Sequence, residues 1–146
     1  MAHFTVVVET ELPADEAWRR LLDLRAHTRA IPLTTLRGEV LTADGLRAGS
    51  RFVARTAVGP VGFDDRMVVD QISPPALESA GTARIRKEGN VVRGQIDLAV
   101  VPTGRGSRVE WDQVIRVRPL PAALDPVVAL VARLAYGTTI RRLLRG

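Results

Sequence analysis

Apolar and polar residues alternate with a period of two along most of this chain, and the breaks in that rhythm mark its helices. Residues 4–10 set Phe4, Val6, Val8 and Thr10 against Thr5, Val7 and Glu9, the pattern of a half-buried strand. The segment ELPADEAWRRLLDLRAHTRAIP then changes period. Pro13 presets a first helical turn, Asp15 and Glu16 put negative charge near its positive end, and Ala17, Trp18, Leu21 and Leu22 recur at helical spacing. A second short helix follows over Leu24 to Ala30 and stops before Pro32.

From there the period returns to two for about 80 residues, the signature of strands in succession. Thr34, Leu36, Gly38 and Val40 share one face, as do Phe52, Ala54, Thr56 and Val58. Phe63, Asp65, Met67 and Val69 form the next, followed by Leu77, Ser79, Gly81, Ala83 and Ile85, with KEGN as a hairpin turn. Val92, Gly94, Ile96, Leu98 and Val100 follow, and then Val109, Trp111, Gln113, Ile115 and Val117. Seven strands joined by short loops favour a meandering antiparallel sheet. The segment PLPAALD ends the last strand, because proline has no ladder donor. Asp125 and Pro126 then read as cap and first residue of a long helix reaching Arg145, with Val127, Leu130, Val131, Leu134 and Thr138 as its inward stripe. The fold class is α+β: strand, two short helices, six strands, and a long helix that must cover the apolar face of the sheet.

A length of 146 residues fits one domain, 1–146, with enough chain to bury a core without staples. There are no cysteines, which excludes disulfides and thiolate chemistry and suits a reducing cytoplasm. No run of 18 or so apolar residues suggests a membrane span, and the N-terminus reads as a strand rather than a signal peptide. The net charge of +5 comes from 20 arginines and one lysine against 16 acids. These arginines are spread along the chain beside acids and few aromatics interleave them, so a nucleic-acid partner is not expected.

Candidate chemistry lies on the inward face. Small residues recur there on four strands, at Gly38, Ala54, Thr56, Ser79, Gly81, Ala83 and Gly94, so the helix either packs closely or leaves a cavity. Gln113 is then either a satisfied core amide or a polar guide for a ligand. Asp65 is a candidate acid or base if it is buried, unless a bulge or slipped register turns Asp64 or Arg66 inward instead. His27 either faces the cavity mouth or lies on a solvated helix face. Trp18 and Trp111 are core anchors or walls for a flat ligand, and Tyr136, beside Gly137, is the pocket hydroxyl. Phe63, Met67, Gly94 and Leu134 complete the expected lining. Neither histidine has metal-ligand spacing, and no P-loop, dinucleotide fingerprint or catalytic triad motif is present, so no cofactor and no catalytic residue is predicted.

Four segments in order, ETELPADEAWRRLLDLRAHTRAIP, DRMVVDQISPPALE, PTGRGSRVEWDQV and the terminal amphipathic helix, resemble the START-like (SRPBCC) superfamily of polyketide cyclase/dehydrase-like, birch-pollen-allergen-like and lipid-transfer proteins. The resemblance spans essentially the whole chain and implies a helix-grip fold, with the sheet curled around the terminal helix and a cavity between. It implies a hydrophobic small-molecule partner. The reading is therefore a cytoplasmic carrier or sensor of a lipid, polyketide or similar molecule, more a binder than an enzyme. The alternatives are a polyketide aromatase, cyclase or dehydratase using Asp65, and a non-catalytic interaction module, monomeric or homodimeric, using Val7 and Val114 on the outer face.

Overall fold

The computed structural model describes residues 1–145. Strand β1 (Ala2–Thr10) is followed by helices α1 (Ala14–Leu21) and α2 (Leu24–Ala30), then β2 (Thr34–Gly38), β3 (Arg51–Val58), β4 (Val61–Ser73), β5 (Gly81–Glu88), β6 (Val92–Thr103), β7 (Gly106–Val117) and the long α3 (Asp125–Arg145). All neighbours are antiparallel, in the order β1-β7-β6-β5-β4-β3-β2. Helices α1 and α2 thus carry the chain from one edge of the sheet to the other. This is the helix-grip architecture expected of the chain.

Local chemistry fixes the two short helices. Pro13 precedes α1, and Asp15 and Glu16 occupy its first turn. Asp23 caps α2, its carboxylate accepting from the backbone N–H groups of Arg25 and Ala26. The α2–β2 corner is held by Leu36, whose N–H donates to the Thr28 hydroxyl at 3.0 Å.

The register on β3 and β4 settles which acid points inward. Phe52 pairs with Met67, Ala54 with Asp65 and Thr56 with Phe63, so these six share the concave face. Asp64 points the other way, to the outer face, where its carboxylate accepts from Arg55 at 3.2 Å. A bulge does occur on β4, but beyond this point, between Val69 and Gln71.

Three expectations need correcting. Leu77 and Ser79 lie in an exposed loop, and β5 starts only at Gly81. Asp125 does not cap α3 from outside; a short 3-10 turn (Ala122–Leu124) feeds straight into the helix and Asp125 is itself helical. The largest correction concerns the face of α3. Val127, Leu130, Val131, Leu134 and Thr138, read as the inward stripe, are all exposed, the four apolar ones by 57–63%. The helix instead seats Ala129, Ala132, Tyr136, Ile140 and Leu143 against the core, and it rests mainly on β1 with α1 and α2 alongside. Alanines let it approach the sheet closely, and Gly137 faces Val6 of β1. Residues Ala122–Arg145 are by length and composition apolar enough to cross a membrane, although one side of that segment is packed on β1.

Candidate functional site

Gln113 is completely buried, and its hydrogen-bonding capacity is assigned by its neighbours. The Trp111 indole N–H can only donate, and it donates to Gln113 Oε1 at 3.0 Å. This turns the Gln113 amide nitrogen toward Tyr136, whose hydroxyl accepts at 3.5 Å. Tyr136 is also clasped between rings, 5.5 Å from Phe4 and 5.6 Å from Trp111 between centroids. Gln113 is therefore a positioning residue for Tyr136 rather than a group open to a ligand.

On the far side of Tyr136 lies the feature that the sequence reading missed. Lys87, the chain's single lysine, is on the concave face, with its ammonium 5.9 Å from the Tyr136 ring centroid. It donates to Asp65 Oδ2 and lies 3.7 Å from Met67 Sδ. The Lys87 side chain is 2% exposed and that of Asp65 13%. Burial works against the ammonium charge, but Tyr136 and Asp65 outweigh it and hold the lysine above its ordinary range. Lys87 is thus a fixed cation and hydrogen-bond donor, not an amine nucleophile.

The partner carboxylate is only half satisfied. Asp65 Oδ1 is buried and has no hydrogen-bond partner among the described residues. Buried carboxylate oxygens are normally paired, so this atom is a vacant acceptor beside a cation. Lys87 could have been found by carrying the alternation of Gly81, Ala83 and Ile85 one step further, since β5 continues through Lys87 before the turn.

The other expected residues divide between this cluster and other duties. Phe63 and Met67 flank Asp65 on β4, Phe63 half-buried and Met67 buried. Gly94 sits opposite Lys87 on β6, at φ +147°, where a Cβ would collide with the Val114 carbonyl; it is a backbone necessity that also leaves the lysine room. Trp18 is buried in the core, packed over Gly81 and so near the start of β5, the opposite end from Lys87. Leu134 is exposed on the outer side of α3 and does not line the cluster.

His27 is neither a solvated residue nor an open mouth group. Its Nε2 lies 2.6 Å from the Leu21 carbonyl. A carbonyl can only accept, so Nε2 carries the proton and closes the C-terminal turn of α1. Burial pushes the His27 pKa down, the Leu21 carbonyl and Asp23 oppose this, and Lys87 adds to the lowering.

Two surface depressions, of about 350 and 390 Å³, lie elsewhere. One is on the convex face among Arg84, Asp97, Glu110 and Asp112, and the other is at the β2–β3 edge around Arg37, Gly38 and Arg51. Of the residues expected to line a cavity, only Ala83 borders the first and Gly38 the second; none of the expected aromatic, polar or charged site residues lines either. The candidate site is the polar cluster of Lys87, Asp65 and Tyr136, walled by Phe63, Met67 and Trp111.

A seven-stranded sheet gripping a terminal helix, with a buried polar cluster on its concave face, defines a helix-grip domain. The chain belongs to the family described as polyketide cyclase / dehydrase and lipid transport, whose model matches residues 1–145. The fold is similar to that of a STAR-related lipid transfer protein from Xanthomonas axonopodis, with 16% identity, TM-score 0.71, and 99% of this chain and 86% of that one covered. It is also similar to the Zhui aromatase/cyclase from Streptomyces sp. R1128, with 11% identity, TM-score 0.66, and coverage of 98% and 93%. A third similar structure is norcoclaurine synthase from Thalictrum flavum, with 15% identity, TM-score 0.62, and coverage of 97% and 92%. No curated protein matches the sequence.

Proposed function

We propose that this chain binds an apolar small molecule that carries an oxygen acceptor, such as a carbonyl or a phenolic oxygen, seated against Lys87 on the concave face. The observation that carries the reading is the buried Lys87–Asp65 pair with its vacant carboxylate oxygen. A buried ion pair is weak as a stabiliser, because desolvation offsets most of the attraction. Retaining one on an otherwise apolar face is explained by a use for the charge. An ammonium with donors to spare takes the ligand's oxygen, and Asp65 Oδ1 takes a hydroxyl proton donor on the same ligand. Phe63, Met67 and Trp111 supply the apolar surface such sites need.

The test compares 2-naphthol with naphthalene in a thermal-shift titration. Ligand at 100 times its dissociation constant stabilises by about 2.7 kcal/mol, so 2-naphthol should raise Tm and naphthalene should raise it less. Lys87→Met should erase the difference. Equal shifts with both compounds, or none with either, would refute the reading.

The vacant oxygen of Asp65 also favours a second reading, in which the carboxylate moves a proton of a polyketide-like substrate while Lys87 stabilises the developing enolate. In that case Asp65→Asn should cut turnover of a polyketide-like substrate by at least ~100-fold while ligand affinity stays nearly constant.

A further inference from the structure

We infer that the outer face of α3 docks onto an anionic lipid bilayer surface, a role independent of the ligand site because it uses the side of the helix facing away from Tyr136. Val127, Leu130, Val131 and Leu134 are 57–63% exposed, and Leu124 just before the helix is 40% exposed. At about 100° per residue they fall on one side of the helix, opposite Ala132, Tyr136 and Ile140. Soluble surfaces seldom carry a contiguous apolar stripe without a use for it.

Charge identifies what covers it. From residue 118 to residue 145 the chain has Arg118, Arg133, Arg141, Arg142 and Arg145 against Asp125 alone, a net of +4 out of +5 for the whole molecule. Asp125 is already engaged, 3.3 Å from the N-terminal amine. Arg141, Arg142 and Arg145 continue the exposed side of the helix about two to three turns beyond Leu134 and are themselves exposed, Arg142 also donating to the Ala30 carbonyl at 3.2 Å. An apolar stripe that runs into a basic end is the pattern of an interfacial helix, with leucines at the acyl boundary and arginines at the phosphates. A second copy of the chain fits this face less well, since pairing it with itself would bring two such positive ends into one interface with little acid to balance them.

Vesicle flotation tests the inference, using phosphatidylcholine alone and phosphatidylcholine with phosphatidylglycerol at roughly 3:1, because anionic lipid attracts each nearby arginine. Binding to the mixed vesicles should be clear in 0.1 M salt and largely lost in 1 M salt, where the screening length falls from ~10 to ~3 Å. Arg141→Gln with Arg145→Gln should weaken it by roughly 30-fold, about fivefold per charge. Leu130→Asp with Val131→Asp should weaken it at least ~10-fold, and both positions are exposed, so circular dichroism and melting should match the parent. As the chain lacks cysteine, a solvent-sensitive fluorophore at Leu130→Cys should shift to the blue only with the mixed vesicles. Binding to neither vesicle would overturn the inference. So would equal, salt-insensitive binding to both, or self-association in sedimentation that Leu130→Asp with Val131→Asp abolishes.

Discussion

Two regions of one concave surface differ sharply in this molecule. Over β1, β7 and β6 the sheet is covered by α1 and α3, and Val6, Leu98, Val100, Val109, Trp18 and Leu21 form a packed apolar core. Over β3, β4 and β5 the same surface carries Ala54, Thr56 and Phe63, half-buried, beside the charged pair of Asp65 and Lys87. The strands and their alternation are alike; what differs is the cover. Helix α3 lies along β1, where close packing follows it, and it meets the charged pair only through Tyr136, whose ring centroid is 5.9 Å from the Lys87 ammonium. The first region sets stability, while the second holds charges that hydrophobic packing alone gives no reason to keep.

The sharpest way to break this division is to remove one charge. Lys87→Met leaves Asp65 buried and unpaired and should cost about 3–5 kcal/mol in urea denaturation. Adding Asp65→Leu removes both charges and should recover most of that loss. If the double variant is no better than the single, the two side chains are not coupled and the site has been misplaced. In the apolar region, Leu21→Ala should cost about 2–5 kcal/mol by leaving a cavity. It should also leave the contrast between 2-naphthol and naphthalene intact, because Leu21 belongs to the packed side.

Smaller effects should come from the border between the regions. Trp111→Phe keeps an aromatic ring but strands Gln113 Oε1 in the interior, at a cost of about 1–3 kcal/mol. Gln113→Leu in that background should restore part of the loss by removing the orphaned amide. No restoration would mean that ring volume, not the hydrogen bond, accounts for the change.

What the sequence disclosed tracks the same division. Strict alternation placed Gln113 and Trp111 on the inward face, because a strand of period two buried on one side leaves little freedom of register. Asp65 stayed open to a slip toward Asp64 or Arg66 until the pairing of β3 with β4 fixed it inward. Lys87 escaped notice because KEGN is also a good turn and a lysine is rarely buried without a partner. Its partner, Asp65, is 22 residues away, and sequence spacing alone gives no measure of that pairing. Helix α3 misled for a different reason. It is apolar nearly all round, so choosing its inward face by bulk selects Val127, Leu130, Val131 and Leu134. The side that packs is the one with Ala129 and Ala132, whose small side chains let the backbone approach β1. A pattern of hydrophobicity carries no information about which of two apolar sides meets a sheet.

The subtlest test concerns His27, which stands between the regions, bonded to the end of α1 and close enough to Lys87 to feel its charge. Its folded pKa is lowered from 6.5 chiefly by burial, so below that value the unfolded chain takes up the proton more readily than the folded one. By linkage, this contribution to stability is complete above pH 6.5 and is lost as pH falls through the lowered folded value. Carboxylates titrate in the same acidic range, so the useful quantity is a difference between two proteins. His27→Gln retains an N–H that can reach the Leu21 carbonyl but does not titrate. Melting temperatures from pH 7.5 to 5 should therefore fall less steeply for His27→Gln than for the parent, with His3 and every carboxylate common to both curves. Parallel curves would show that the imidazole is freely protonated in the folded state. The interior would then not shield it, and the boundary between the packed region and the polar one would lie closer to α1.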